Sequence, residues 1–163
     1  MPRISKEDNM TFLQAFLRHL ISFAPALLVL CVLASFVSTQ SVLGQLDAMD
    51  APVPMGLSMQ MIFEDILGTL LPFTLVFGVG LLLGLLGAAL AERFIPNPWG
   101  AIHAAAGFTA VLATLIIMEA AFGIIPIAGA RSAAGMFWIS TGGALAGLIY
   151  LRIARREQDT GDD

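Results

Sequence analysis

The chain has one cysteine, two histidines, one tyrosine and few charges: Asp, Glu, Lys and Arg together make up 12% of its 163 residues. A single Cys31 excludes intramolecular disulfides and dithiol relays. There is no HExxH or other zinc spacing, no Gly-rich phosphate loop and no G-x-S-x-G elbow, so the familiar hydrolytic, phosphoryl-transfer and zinc chemistries have no sequence basis. Eight Lys and Arg are too few for a nucleic-acid surface. The expectation is a protein that is not an enzyme.

What is abundant is apolar side chain. Hydrophobic residues make up 58%, and the mean hydropathy is +0.86. Soluble domains carry roughly twice this charge density. Four apolar segments, about residues 20–37, 66–90, 101–122 and 133–153, are each long enough to cross a bilayer at 1.5 Å per residue. They leave too little chain for a soluble core. The expected fold is an all-α integral membrane protein, a single membrane domain forming a four-transmembrane-helix bundle, with an outer loop at 38–63 and a polar tail at 154–163.

The first seventeen residues start polar and continue as MTFLQAFLRH, which reads as an interfacial lead-in to the first span. The apolar run behind it is longer than a signal-peptide core and lacks a small-x-small cleavage site, so it is expected to be retained. Pro25 and Pro72 fall inside spans, Pro96 and Pro98 end the second, and Trp99 suits the interface.

Charge placement gives an orientation. Arg3, Lys6, Arg18, Arg93, Arg152, Arg155 and Arg156 fall on the side shared by both termini, and only Arg131 falls on the other. The 38–63 connection holds acids and no Lys or Arg at all. By the positive-inside rule both termini are expected in the cytoplasm, and the localisation expected is a plasma membrane, the bacterial inner membrane in particular.

Small residues recur at helical spacing: Gly80, Gly84 and Gly87 in the second span, Gly107 in the third, and Gly135, Gly143 and Gly147 in the fourth. In lipid, where apolar side chains gain nothing by leaving water, such stripes allow close van der Waals packing. They point to bundle assembly and to a partner, either a second copy or a larger membrane complex. Thr141, Gly142 and Gly143 also form a potential break in the fourth helix.

Few polar groups remain as candidate sites. His103 and Glu119 are sixteen residues apart on one helix, about 24 Å along its axis, and form separate sites. His103 is expected on a small inward stripe with Gly107, Ala110 and Thr114, and Glu119 on a bulky stripe with Phe108, Leu112 and Leu115. Glu119 is expected to pair with Arg131 or, with Glu64, Asp65 and Arg131, to line a transport vestibule. His19 and His103 lie at similar depth, as the two axial ligands of a b-type haem would. Met49, Met55, Met59 and Met61 are soft donors suited to Cu(I), although MGLSMQMIFEDIL also reads as a helix burying Met55, Met59 and Ile62.

Two functions are therefore expected in order: a non-catalytic accessory or scaffold subunit packing through glycine faces, and an oligomeric small-solute or ion transporter or channel with an acidic outer vestibule. No cofactor is expected on the first two readings; a haem- or copper-binding membrane protein is a weaker third.

Overall fold

The computed structural model describes residues 6–48, 55–94 and 100–159. They form α1 (Lys6–Asp47), α2 (Met55–Glu92), α3 (Ala101–Phe122), a short 3-10 helix (Ala128–Arg131) and α4 (Ala133–Asp159). No strand occurs among the described residues. Each of the four α-helices contains a segment long and apolar enough to cross a membrane.

The helices run in cyclic order, each packed on its two chain neighbours and α4 closing on α1. Paired contacts descend on one helix as they ascend on the next. Cys31, Ser35 and Thr39 meet Thr74, Thr69 and Asp65. Gly80 and Gly84 lie against Thr114 and Ala110, and Gly107 lies against Gly143. All neighbours are therefore antiparallel, as short connections require. We call the end where α1 meets α2 and α3 passes to α4 the loop end, and the opposite end the terminal end.

The ends of α3 follow from glycine. Gly100 and Gly123 flank it in the left-handed region at φ 72° and 69°, a conformation that costs other residues a steric penalty. The Gly123 N–H donates to the Glu119 carbonyl at 2.8 Å, completing the C-cap. Helix α4 begins where the Ser132 hydroxyl accepts from the Gly135 N–H at 3.0 Å.

The core is Leu30, Ala34, Phe77, Leu81, Val111, Leu115 and Ile139, all essentially inaccessible. Large apolar side chains on α2, including Leu67, Leu71, Leu75, Leu83 and Leu86, face outward instead. That arrangement suits a chain whose surroundings are hydrocarbon. Helices α2 and α3 bury less of their spans than α1 and α4.

Several expectations need correction. The 38–63 segment is mostly helix: α1 continues to Asp47 and α2 begins at Met55. Gln40, Ser41 and Gln45 are polar but compatible with helix, and hydropathy alone ends a span before the helix ends. Helix α1 is likewise continuous from Lys6, without a separate lead-in helix, and α4 runs unbroken through Thr141, Gly142 and Gly143. Met59 is exposed, so the start of α2 does not bury it. Pro96, Pro98 and Trp99 lie outside the described residues.

Candidate functional site

The seven glycines have unequal roles. A Cβ at Gly107, Gly143 or Gly147 would collide with backbone carbonyls of the facing helix, so α3 and α4 approach as closely as backbone allows. Gly80 and Gly84 admit Thr114 and Ala110 of α3, and Gly135 lies against the Gly129 carbonyl. Gly87 differs, because a Cβ there would meet nothing within 4 Å. It opens on a shallow groove between α2 and α3 lined by Gly84, Ala91, Ala106, Ala110 and Ala113.

On α3 the buried face is His103, Gly107, Val111 and Leu115, one turn apart each. Ala110 and Thr114 are turned toward α2 instead of sharing that stripe. Leu115 is fully buried and Phe108 and Leu112 are half-buried, so the bulky face assigned to Glu119 is not a uniform lipid face. Glu119 itself is exposed. Glu92 makes ion pairs with His103 and Arg155, whereas Glu119 and Arg131 are not paired with each other. The Arg131 Nε donates to the Ile125 carbonyl at 3.2 Å, which ties the guanidinium to its own loop.

At the terminal end, His103 meets a partner that lies beyond the 66–90 span expected from hydropathy. Glu92, the last residue of α2, brings Oε1 to 3.1 Å from His103 Nδ1, and Arg155 Nη2 lies 4.0 Å from the same oxygen. The contact has ion-pair distance without hydrogen-bond alignment, and neither atom has another hydrogen-bond partner. Tyr150 completes the cluster: its hydroxyl is hydrogen bonded to His19 Nδ1 at 2.8 Å, and its ring lies 6.3 Å from the His19 imidazole and 6.1 Å from that of His103. The two histidines expected to hold a haem are thus both engaged by a tyrosine.

The methionine candidates do not converge among the described residues. Met59 and Met61 are two positions apart on α2, about 200° around the helix. Met59 is exposed, whereas Met61 lines a cavity. Met49 and the Met55 side chain lie outside the description.

That cavity is at the loop end and has a volume of about 420 Å³. Its polar lining is Ser38 and Thr39 from α1 and Glu64, Asp65 and Thr69 from α2; Val42, Phe73, Pro126 and Ile127 supply apolar wall. Among the described residues, no Lys, Arg or His lines it. The polar groups form an ordered ladder. Thr69 donates its one hydroxyl hydrogen to the Asp65 carbonyl at 2.6 Å, so in the 2.5 Å contact between Ser35 and Thr69 the hydrogen comes from Ser35. Thr39 divides its hydrogen between the Ser35 carbonyl at 3.1 Å and the Asp65 carboxylate, at Oδ2, at 2.9 Å. Glu64 accepts from Gln60 at 2.8 Å.

Ser38 stands apart from this ladder. It is only 7% exposed, yet its hydroxyl has no hydrogen-bond partner. Gly129 allows the approach, because a Cβ there would press on the Ser38 backbone and hydroxyl. The close packing of the 3-10 helix on α1 covers the hydroxyl, which lies against Gly129. Sequence reasoning singled out Glu64 and Asp65 and missed Ser38, Thr39 and Thr69. Their signal was polar residues at helical spacing on two facing helices, Ser35 with Thr39 and Asp65 with Thr69.

Fold and composition together define a multi-pass α-helical membrane bundle with a polar cavity at one end and a buried acid–histidine contact at the other. Comparison with protein-family models, curated protein sequences and solved structures returns no match.

Proposed function

We propose that this protein is a small, non-catalytic membrane transporter or channel that admits a small cationic solute through the loop-end cavity. The positive-inside bias assigns that end to the outside of the plasma membrane, with both termini in the cytoplasm. The observation that carries the reading is the cavity itself: among the described residues its charged lining is Glu64 and Asp65, and Thr39 holds the Asp65 carboxylate in place. Acids inside a span are costly to retain, which favours a functional role for them.

The test is uptake of radiolabelled methylammonium and of rubidium into proteoliposomes holding purified protein. Wild-type protein is expected to take up at least one of them faster than empty vesicles, and Asp65→Asn to lose most of that rate. Uptake equal to that of empty vesicles for both ions would remove the reading.

A second reading, a scaffold or accessory subunit, rests on the α2–α3 groove. Six of the seven stripe glycines are occupied by contacts within the chain, so they account for the bundle itself, and Gly87 is what remains for a partner helix. A second copy or a larger complex docked there would be disrupted by Gly87→Leu. Light scattering of detergent-solubilised wild type and variant decides it: a mass unchanged by the substitution removes this reading.

A further inference from the structure

We infer that the loop-end cavity is a binding site for an N–H-bearing organic ammonium, a primary or secondary amine with a short apolar body. This rests on the solute-pathway reading for the use of the site, but the chemistry of recognition stands on the cavity alone. An ammonium group is a compact donor with three hydrogens and no lone pair. The cavity presents complementary groups. Asp65 already accepts from Thr39, and its carboxylate keeps further acceptor capacity; Glu64 accepts one bond from Gln60 and likewise keeps acceptor capacity. Among the described residues, no cationic side chain lines the cavity to neutralise the two acids.

The rest of the lining selects against a bare metal ion. Glu64 and Asp65 are consecutive on α2, about 100° apart around the helix, so their carboxylates diverge. No group of three or more His, Cys, Asp or Glu side chains converges among the described residues. A hard divalent ion requires six or more oxygens in one shell, which this arrangement does not provide. Val42, Phe73, Pro126 and Ile127 instead offer apolar surface beside the acids, and about 420 Å³ is far more space than a dehydrated ion fills. An amine carrying a few methylenes satisfies both halves of the wall. The amine of a lipid headgroup and a free amine share this chemistry.

The experiment is titration calorimetry of purified full-length protein in detergent with n-butylammonium, n-butanol and tetramethylammonium. Saturable binding of n-butylammonium is expected, with binding by the neutral alcohol and the N–H-free cation at least about tenfold weaker. Asp65→Asn is expected to weaken n-butylammonium about tenfold, with an unfolding temperature confirming that the variant folds. Repeating the titration before and after exchange of copurified phosphatidylethanolamine separates the two sources. Binding that emerges only after exchange assigns the headgroup amine; binding equal in both assigns a free amine. Equal affinity for n-butylammonium and tetramethylammonium, or no saturable binding in either preparation, overturns the inference without reference to any variant. Ammonium binding without vesicle uptake would remove the pathway reading and leave the site. Asp65-dependent rubidium uptake without ammonium binding would do the reverse.

Discussion

Thr39 Oγ1 lies 2.9 Å from Asp65 Oδ2 across the α1–α2 interface, and the same hydroxyl also reaches the Ser35 carbonyl at 3.1 Å. One hydrogen thereby holds a carboxylate in register with the helix opposite it. Asp65 is fixed on one side by α1 and left with acceptor capacity on the cavity side, which makes the loop end a preorganised site instead of a loose acidic rim.

Replacing Thr39 with Val removes that donor at nearly constant volume. The variant is expected to lose about 0.6–1.7 kcal/mol of stability, the range for interhelical hydrogen bonds in membranes. Unfolding titrations in mixed micelles measure it, and a variant as stable as wild type would show that the contact contributes nothing.

Glycine substitutions are expected to divide sharply. Gly107→Ala drives a methyl into the Gly143 carbonyl, whereas Gly87→Ala adds one where nothing lies within 4 Å. The first is expected to cost more than about 2 kcal/mol through forced helix separation. The second is expected to be neutral or stabilising by up to about 1 kcal/mol through helix propensity. Parallel thermal melts in detergent compare them; similar losses in both would contradict the assigned packing.

Glu92 and His103 are expected to be energetically coupled. Each substitution alone removes the 3.1 Å contact and leaves the other's buried atom without it. Glu92→Gln and His103→Ala should therefore each destabilise, while the double variant loses less than the sum by about 0.5–3 kcal/mol. Strict additivity in the double-mutant cycle would mean that the 3.1 Å contact is not an interaction.

Glu119 and Arg131 make the opposite case. The exposed Glu119 forms no ion pair with Arg131, whose Nε is bonded to the Ile125 carbonyl. A cycle of Glu119→Gln and Arg131→Gln is expected to be additive within about 0.3–0.5 kcal/mol. A larger coupling would restore the pairing expected from their proximity in sequence.

These contrasts show what the chain discloses by pattern alone. Helix α3 was legible to the residue, because Gly100 and Gly123 mark both ends of an uninterrupted apolar run. The far half of α1 was not, because Ser38 to Asp47 are too polar for a hydropathy window and yet remain helical. That shift matters for the site: Thr39 belongs to a helix face packed on α2, and a reading that places it in a loop cannot pair it with Asp65. Glu92 was obscured in the same way. It ends α2 eleven residues before His103, and only the antiparallel packing of α2 on α3 brings the two side chains together. Tyr150 carried no local signal, since a single tyrosine in an apolar span reads as filler until its neighbours on α1 and α3 are known.

The central claim, an electronegative cavity open to the outside, is tested most directly by side-specific labelling. Val42 lines the cavity and is partly exposed, and Cys31 is the only native thiol and is buried. Val42→Cys in a Cys31→Ala background would be reacted on intact cells with membrane-impermeant cationic and anionic methanethiosulfonates of similar size. The account predicts modification from outside, at least about tenfold faster by the cationic reagent, with the preference reduced in Asp65→Asn. Equal rates for the two reagents, or labelling only from the cytoplasmic side of inverted vesicles, would contradict it.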